Sequence, residues 1–279
     1  MKCYFHKIVD GNYRACGKCF PCKMQRINDW TTRLHFEELN SHSADFVTLT
    51  YNYENLKFPS GKARSRNYGT LYKRDVQLFI KRLRRSDKRP KSLLRSHPIK
   101  YISCGEYGTK NKRPHYHLII FNATQNGIDA AWRNGDKPMG QIHYDPVNPQ
   151  TIAYVVGYIA NSWELRRDSR LRDFQLQLPF LTFSKGLGAN YVTPAAVSFH
   201  TSEKNLLNRC YVTVDGQKRH MPKYLRQKIY SATAWKSIKE HLQVIAEIPP
   251  PIPVPDTDPA NIKIFNDRIL KTFRKETIY

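Results

Sequence analysis

A glutamate and two histidines lie close together in residues 103–122, SCGEYGTKNKRPHYHLIIFN. The segment predicts a strand that ends near Glu106, a basic loop, and a second strand that opens with His115 and His117. Alternate residues of a strand face the same side, and an antiparallel register that sets Glu106 opposite His115 also sets Cys104 opposite His117. One carboxylate and two imidazoles would then share a face, which suits a divalent ion that acts on a substrate. Two exposed histidines without a function are the alternative.

Two tyrosines form a second candidate group, in residues 148–163, NPQTIAYVVGYIANSW. The pattern predicts a helix with Asn148 as its N-cap and Pro149 at its first position. One face carries an apolar stripe about 100° wide, made of Ile152, Val155, Val156, Ile159 and Trp163. Tyr154 and Tyr158 lie four residues apart on the opposite face, outside the stripe that packs the helix. A pair of solvent-facing tyrosines without a role is the alternative.

The candidate metal site and the two tyrosines together suggest one reaction. A tyrosine hydroxyl attacks a DNA phosphodiester, forms a 5′-phosphotyrosine bond and releases a 3′-hydroxyl. A phenol titrates near pH 10 and is a poor nucleophile unless it is activated. A divalent ion bound by Glu106, His115 and His117 would polarise the phosphate and stabilise the developing charge. Two tyrosines about one helical turn apart could alternate, as rolling-circle replication requires.

The charge balance indicates a nucleic-acid partner. The chain has 279 residues with 46 Lys and Arg against 23 Asp and Glu, a formal net charge of +23. Such an excess repels itself and is usually kept for a polyanion, although a generally basic soluble protein is the alternative. Aromatic residues make up 12% of the chain, so bases could be stacked as well. No run of about 18 apolar residues and no signal-type segment is present, so we expect a cytosolic protein without a membrane span.

Cysteines cluster near the start of the chain. Cys16, Cys19 and Cys22 have C-x2-C-x2-C spacing, and Cys3 lies upstream. In a cytosolic protein this arrangement favours metal binding over disulfides. Four thiolates could hold a structural Zn²⁺ ion. An iron–sulfur cluster and free thiols are the alternatives.

The remaining segments alternate between helical and strand patterns, which predicts an α+β fold. Predicted helices cover residues 21–40, 70–88, 127–134 and 222–242. Predicted strands cover residues 45–51, 140–144 and 179–183, and a hairpin covers residues 209–219. Residues 52–69 and 89–98 are expected to be a basic loop and a connector. Residues 249–255, PPPIPVP, predict an extended linker before a basic tail.

Several of these motifs carry a resemblance to a known family. His115-Tyr116-His117 within RPHYHLIIF, followed by Tyr154-x3-Tyr158, resembles the His–hydrophobic–His (HUH) endonucleases. More narrowly, the chain resembles the replication initiators of microviruses, the small single-stranded DNA phages, of the gokushovirus-like kind. The likeness extends over most of the chain, through the segments CGKCFPCKMQRINDW, FVTLTY, CGEYGTKNKRPHYH, YVVGYIANSW, PFLTFSKGLGANY and MPKYLRQKIY.

The resemblance implies a fold, a cofactor and a reaction. It implies a central antiparallel sheet flanked by helices, with an N-terminal Cys-rich segment and a C-terminal basic helical extension. We therefore divide the chain into a Cys-rich segment with the first helix (1–40), an endonuclease core (41–185), a hairpin and helix packing on that core (186–248), and a linker with a basic tail (249–279). The implied cofactor is Mg²⁺ or Mn²⁺, and the implied reaction is the nicking and rejoining of one origin strand.

The resemblance also assigns residue roles. It makes His115 and His117 metal ligands, Glu106 the third ligand, and Tyr154 and Tyr158 the nucleophiles. The family often carries a lysine three residues after each tyrosine, and this chain has Gly157 and Asn161 there. A nearby cation could come from Arg166 or Arg167 instead. In the basic loop, Lys110, Lys112 and Arg113 are expected to bind DNA.

The implied partners are single-stranded origin DNA and the host replication machinery, a helicase and a polymerase, in the cytoplasm of the infected bacterium. Two other classes of protein remain open. A tyrosine transposase of the same superfamily would use the same site. A protein that binds single-stranded nucleic acid without cutting it would need neither tyrosine.

Overall fold

The structure is a computed structural model that describes residues 3–9, 12–108, 111–161 and 169–247. Among the helices in those ranges, none combines the length and the apolar composition that crossing a bilayer requires. The basic tail that the sequence predicts after residue 249 lies outside the described residues.

Strands and helices are interspersed along the described chain. Strands β1 to β11 comprise Lys7–Val9, Asn12–Arg14, Ala44–Thr50, Lys100–Tyr107, Pro114–Phe121, Arg133–Asn134, Lys137–Pro138, Ile142–Pro146, Phe180–Phe183, Tyr211–Val214 and Gln217–His220. Helices α1 to α10 comprise Phe20–Leu39, Gly61–Ser65, Lys73–Arg85, Lys91–Ser96, Gln125–Ala131, Pro149–Asn161, Ser169–Asp173, Pro194–Thr201, Lys223–Ile229 and Ala232–Glu247.

These elements form two compact units. Residues 37–187 make one, called here the sheet unit, and the described parts of residues 1–36 and 188–279 make the other, called the terminal unit. The sheet unit includes the whole segment 41–185 that we predicted to be the core. The division of the chain into four segments stays a prediction.

The sheet unit is built on a five-stranded antiparallel sheet in the order β8-β3-β5-β4-β9. Strand β5 lies at its centre because its second half, Leu118–Ile119–Ile120–Phe121, is apolar on both faces and fully buried. Helix α6 packs against β4 and β5. The predicted α+β class, with a central antiparallel sheet flanked by helices, is confirmed.

Helices α3 and α5 cover the other face of the sheet. Their buried side chains include Val76, Phe79 and Ile80 of α3 and Ile128 of α5. They join one core cluster with Val47 and Leu49 of β3 and with Tyr116, Leu118 and Ile120 of β5. This core takes up the even-numbered residues of β5, so His115 and His117 are left to the opposite face, beside α6.

A buried hydrogen-bond network fixes the middle residue of the His115-Tyr116-His117 sequence. The Tyr116 hydroxyl lies 2.8 Å from the Tyr51 hydroxyl, which donates to Asp75 Oδ2 at 2.6 Å. The Tyr72 backbone N–H donates to the Tyr116 hydroxyl at 2.8 Å. Satisfied polar networks of this kind hold a unique arrangement in a core. Tyr116 therefore fixes β5 on the face that α3 and α5 cover, while both histidines point to the other face.

The structure departs from the predicted elements in three segments, and local capping explains two of them. The helix predicted over residues 222–242 is two helices. The first ends at Ile229, where Tyr230 leaves the helical conformation, and Ser231 caps the second, since its hydroxyl accepts from Ala234 N–H at 3.1 Å. The expected loop at residues 52–69 contains α2, which Ser60 caps through Ala63 N–H. The expected connector at residues 89–98 contains α4. The predictions for these three segments were wrong in detail, and side-chain caps account for the first two of the differences.

The terminal unit has its own core around the hairpin of β10 and β11. Val212 and Val214 of β10 pack with Leu225 and Ile229 of α9 and with Ile238 of α10. His200 of α8 is buried there, with Nδ1 at 2.8 Å from the Arg209 carbonyl and Nε2 at 2.7 Å from the Tyr191 hydroxyl. Both ring nitrogens therefore have partners inside the unit.

Acidification should destabilise this core through His200. Burial lowers the pKa of His200 from its ordinary value of 6.5, so the folded unit favours the neutral ring. Its contribution to stability is complete above pH 6.5 and is lost as the pH falls through the lowered pKa. We expect the unfolding midpoint to fall less between pH 7.5 and pH 5.5 in His200→Gln than in the unsubstituted protein. The exposed His143→Gln is the control, and equal pH dependence in all three proteins would contradict the prediction.

Candidate active site

The pairing of β4 with β5 brings Glu106, His115 and His117 together. Glu106 pairs with His115 and Cys104 pairs with His117, so the register assumed from the sequence is confirmed. Glu106 Oε1 lies 2.7 Å from His115 Nε2 and 3.0 Å from His117 Nε2. One ligand atom from each of the three residues lies within 4.8 Å of the others. A carboxylate oxygen and two imidazole nitrogens thus converge on one small volume.

A second contact orients each imidazole. His115 Nδ1 lies 3.0 Å from the Arg113 carbonyl, which can only accept, so Nδ1 carries a proton. A neutral ring with its proton on Nδ1 would offer the Nε2 lone pair to a metal ion, whereas the 2.7 Å contact with Glu106 needs a proton on Nε2 as well. His117 Nδ1 lies 2.9 Å from Thr48 Oγ1 of the neighbouring strand β3. The sequence did not single out Thr48, because only the β3–β5 register places it opposite His117.

The electrostatics of the group favour an ionised carboxylate. Burial alone would raise the pKa of Glu106, but hydrogen bonds from His115 and His117 outweigh it and lower this pKa to about 2. Burial alone would lower the pKa of His115, and the hydrogen bond to Glu106 outweighs it, so the pKa is raised. Negative charge is therefore held on Glu106 at neutral pH, and the imidazoles stabilise it.

Helix α6 carries Tyr154 to this group. The Asn148 side chain accepts from Thr151 N–H at 2.8 Å, which confirms the predicted N-cap. The Tyr154 hydroxyl donates to Glu106 Oε1 at 2.8 Å and lies 3.4 Å from His117 Nε2. Its ring meets the His117 ring edge-on, with centroids 4.9 Å apart. Tyr154 is thus half-buried against the candidate ligands, although its position on the helix had left a solvent-facing role open.

Burial and the charge of Glu106 both raise the pKa of the Tyr154 phenol above its ordinary value of 10. The phenol is therefore protonated at neutral pH in the arrangement described. A cation among the same donors would oppose the charge of Glu106 and so lower the free energy of the phenolate.

A feature other than the ligand distances also indicates that Glu106, His115 and His117 can hold a divalent ion. Glu106 Oε2 is buried and has no hydrogen-bond partner among the described residues. A buried carboxylate oxygen is costly to leave without a partner, and a cation between Glu106 and the two imidazoles would satisfy it. Cys104 lies close by, but burial first and the charge of Glu106 second raise the pKa of its thiol well above 9.0. That thiol stays protonated and adds no charge to the group.

The second tyrosine and three of the predicted DNA contacts lie outside what can be described. Tyr158 belongs to α6, one turn after Tyr154, and its side chain is outside the described set. Lys110, Arg166 and Arg167 lie outside the described residues altogether. The roles predicted for these four residues stay predictions.

Arg113 and Lys112 of the loop between β4 and β5 are described. Arg113 Nη2 donates to the Tyr51 carbonyl at 2.7 Å, so this side chain ties the loop to the end of β3. Lys112 is half-buried with a φ of 51°, and its N–H donates to the Gly108 carbonyl at 3.1 Å. Two basic side chains of α3 also have structural partners. Arg82 Nε donates to the Ala131 carbonyl at 2.8 Å, and Arg84 Nη2 to the Ile99 carbonyl at 3.0 Å.

The four N-terminal cysteines also converge, in the terminal unit. The sulfurs of Cys3, Cys16, Cys19 and Cys22 all lie within 4.8 Å of one another, and none of the four is in a disulfide. Cys19 Sγ lies 3.4 Å from Cys22 Sγ and 3.6 Å from Cys3 Sγ. A tetrahedron with Zn–S bonds of about 2.3 Å has edges of about 3.8 Å, so the spacing suits zinc.

The backbone around the first cysteine pair supports a thiolate. The N–H groups of Lys18 and Cys19 donate to Cys16 Sγ at 3.4 and 3.3 Å. The turn depends on Gly17, whose φ of +72° lies in the left-handed region. Burial would raise the pKa of Cys16, and these N–H groups outweigh it and lower the pKa to about 6. Burial and neighbouring thiols raise the pKa of Cys22 to about 12, as expected for crowded thiols without a cation.

Comparison with known proteins finds a family whose model matches part of the sheet unit. Residues 44–162 match the family of replication-associated proteins described as ORF2 or gene 2 protein. This match covers less than half of the chain, and the matched segment is referred to here as the domain. The domain contains β3 to β8 and α6, and therefore Glu106, His115, His117 and Tyr154. The predicted resemblance to microvirus replication-associated proteins is confirmed.

Three phage proteins named as replication-associated are similar to the chain. It is 37% identical to VP4 of Bdellovibrio phage phiMH2K over 163 aligned residues. The alignment covers 52% of this chain and 47% of the relative. It is 28% identical to ORF2 of Spiroplasma virus 4 over 77% of this chain and 67% of the relative. It is 21% identical to ORF4 of Chlamydia phage 1 over 80% of this chain and 55% of the relative. The chain thus spans about half to two thirds of these relatives, and no solved structure matches it.

Proposed function

We propose that the protein initiates phage rolling-circle replication by nicking one strand of origin DNA in a metal-dependent reaction. The observation that carries the proposal is the position of the Tyr154 hydroxyl, 2.8 Å from Glu106 Oε1 within a Glu/His/His group. The replication-associated names of the similar phage proteins support the same role. A nucleophile, a set of metal ligands and a strongly basic chain are what phosphodiester cleavage through a covalent intermediate needs.

In this proposal Tyr154 is the nucleophile. Its phenolic oxygen attacks the scissile phosphorus and releases its proton to water. The new O–P bond replaces the P–O3′ bond, and the 3′ oxygen takes up a proton from water and leaves as a hydroxyl. Glu106 accepts the hydrogen bond of the phenol and aims its oxygen. With a pKa of about 2 the carboxylate is a weak base, so Glu106 orients the phenol rather than keeping its proton. Attack of a 3′-hydroxyl on the phosphotyrosine reverses these bonds and rejoins the strand.

Glu106, His115 and His117 are proposed as the ligands of Mg²⁺ or Mn²⁺. When bound, such an ion would polarise the scissile phosphate and stabilise the charge that develops on it. The Arg113 carbonyl and Thr48 would keep both Nε2 atoms aimed at it.

Tyr158 is proposed as the second nucleophile. It follows Tyr154 by four residues on α6, which is about one helical turn. One tyrosine could hold the 5′ end while the other cuts the next copy. Arg166 or Arg167 would supply the cation that the family often provides with a lysine at the positions of Gly157 and Asn161.

The proposed setting follows from the reaction. The substrate would be single-stranded DNA at the phage origin, and the free 3′-hydroxyl would serve a host polymerase together with a host helicase. The reaction would therefore take place in the cytoplasm of the infected bacterium.

A covalent-capture assay tests the proposal. The protein is mixed with labelled single-stranded origin DNA and Mn²⁺ and run on a denaturing gel. We expect a labelled band at the mass of the protein, lost with a chelator, whose tryptic phosphopeptide contains Tyr154. Tiled oligonucleotides that span the whole phage genome include the origin wherever it lies. Absence of an adduct across the tiled set, in protein that still binds DNA, would contradict the proposal.

Zn²⁺ is proposed for the four-cysteine group, as a structural ion of the terminal unit. We expect about one zinc per chain, and near none in Cys19→Ser, with a lower unfolding temperature because metal binding and folding are coupled. Cys210→Ser is the matched control, since Cys210 is a half-buried free cysteine outside the group. Metal analysis and thermal unfolding measure both effects. Equal zinc content in Cys19→Ser and Cys210→Ser would contradict the assignment, and iron in place of zinc would replace it.

A further inference from the structure

Helices α1 and α9 of the terminal unit border an open cavity of about 360 Å³. Its volume falls in the range of sites that hold small organic or phosphate-bearing groups. Arg26, Trp30 and Arg33 of α1 and Lys223, Tyr224 and Gln227 of α9 line it. Neither the Glu/His/His group nor the four cysteines belong to this lining.

The central feature of the cavity is a stacked guanidinium. Arg33 Cζ lies 4.1 Å from the centroid of the Trp30 ring and 4.1 Å from the centroid of the Tyr224 ring. A guanidinium between two aromatic rings is fixed in orientation and keeps its charge, because the rings attract the cation through their faces. The stacking therefore holds a positive charge in place before any ligand arrives.

Charge in the cavity favours an anion. Three of its lining residues are cations, Arg26, Arg33 and Lys223, against one carboxylate, Asp29. That carboxylate is engaged by the protein itself: Gln25 Nε2 donates to Oδ1 at 2.6 Å and Lys223 N–H to Oδ2 at 3.4 Å. The net charge of the lining is therefore positive, and the Lys223 side chain is exposed at its rim.

Two more cations of α9, outside the cavity lining, lie beside aromatic rings. Arg226 Cζ lies 3.9 Å from the centroid of the Trp235 ring, and Lys228 Nζ lies 5.4 Å from that of Tyr224. Cations beside aromatic rings in an open, basic groove are the composition of surfaces that follow a single nucleic-acid strand.

We propose that this cavity binds a phosphodiester of single-stranded DNA, as a contact separate from the candidate nicking site. The proposal rests on the proposed function only for the identity of the polyanion. A formal charge of +23 on the whole chain favours a polyphosphate over a single small anion. Since the contact is to the backbone, it should add affinity without reading bases.

Salt titrations of DNA binding test the site. The probe is a fluorescent single-stranded oligonucleotide, and Kd is measured by anisotropy at several salt concentrations. One phosphate contact to a single strand contributes about 0.7 to the slope of log K against log salt. Lys223→Gln should therefore reduce the slope by about 0.7 and weaken binding about fivefold at 0.1 M salt. The effect should be the same for origin and scrambled sequences.

Matched variants separate the site from net charge. Lys239→Gln removes one exposed charge from α10 of the same unit and should change affinity much less than Lys223→Gln. Gln227→Lys should strengthen binding and Gln227→Glu should weaken it, whereas Ser237→Lys and Ser237→Glu on α10 should have smaller effects. Equal effects at cavity and control positions would overturn the proposal. A loss confined to the origin sequence would also overturn it, because a backbone contact is independent of sequence.

A second readout distinguishes this inference from the proposed function. Adduct formation at saturating DNA should be unchanged in Lys223→Gln, and the unfolding temperature should match that of Lys239→Gln. Altered binding without any adduct in the unsubstituted protein would support the cavity and contradict the nicking chemistry. Normal adduct formation with unaltered binding in Lys223→Gln would contradict the cavity proposal and support the nicking chemistry.

Discussion

Replacing Tyr154 with phenylalanine should abolish the first covalent protein–DNA adduct, with a fall in rate of roughly three orders of magnitude or more. Phenylalanine keeps the ring contacts with His117 and Phe46 but removes the oxygen that would attack phosphorus. Glu106 Oε1 keeps its contacts with both histidines, so the folded state should lose only about 1 kcal/mol. The adduct is measured on a denaturing gel and DNA affinity by anisotropy, and the affinity should be retained.

Tyr144→Phe is the matched control for this variant. The Tyr144 hydroxyl also donates to a carboxylate, Asp129 Oδ1, at 2.6 Å, but it lies on β8 outside the candidate site. It should form adduct at the normal rate. If Tyr154→Phe formed adduct as fast as Tyr144→Phe, Tyr154 would not be the attacking residue. Comparison with Tyr158→Phe and with the double variant would then show whether Tyr158 cuts first.

Replacing His117 with alanine should weaken binding of Mn²⁺ by at least roughly 100-fold and reduce nicking by a similar or larger factor. The change removes one of three ligands and leaves Glu106 with one imidazole instead of two. Without metal, this loss of a hydrogen-bond partner to a buried carboxylate should lower the free energy of unfolding by about 1–3 kcal/mol. Calorimetric titration with Mn²⁺ measures the first effect and chemical denaturation in chelator the second.

A graded companion variant makes the metal prediction sharper. Thr48→Val keeps all three ligands and removes only the hydroxyl beside His117 Nδ1. Such outer contacts typically contribute tenfold to 100-fold in metal affinity, so its effect should lie between His117→Ala and the unsubstituted protein. Full nicking activity in His117→Ala at saturating Mn²⁺ would exclude His117 from the reaction. An unchanged Mn²⁺ affinity in Thr48→Val would mean that Thr48 does not orient His117. Only the contact of His115 with the Arg113 carbonyl would then orient a ligand.

The relation of Glu106 to the histidines could be predicted from the sequence because it depends on local pairing. The connection between β4 and β5 is short, and a strand alternates its faces with a period of two residues, so few registers are available. The N-cap at Asn148 and the helix that carries Tyr154 are local in the same sense. The four-cysteine group could also be predicted from the sequence, since three of its members lie within one short segment.

Contacts between distant segments were not predictable in this way. Thr48 lies beside His117 only because β3 pairs with β5, and nothing in the sequence FVTLTY marks it as a partner. Arg82 and Arg84 looked like surface charges, but they bond to carbonyls of segments that fold back on α3. Arg33 and Tyr224 come from opposite ends of the chain, so their stacking and the cavity beside it have no local signal.

By itself, the sequence determined the kinds of groups available for chemistry and their order on each strand and helix. It determined the α+β class as well, because hydrophobic periodicity and capping act over a few residues. Only the tertiary structure decided that the Tyr154 phenol turns toward Glu106. The helical pattern placed this tyrosine opposite the apolar stripe, and the side of the sheet it meets depends on how α6 packs on β4 and β5. That packing is set by burial of many distant side chains at once, and no short segment encodes it.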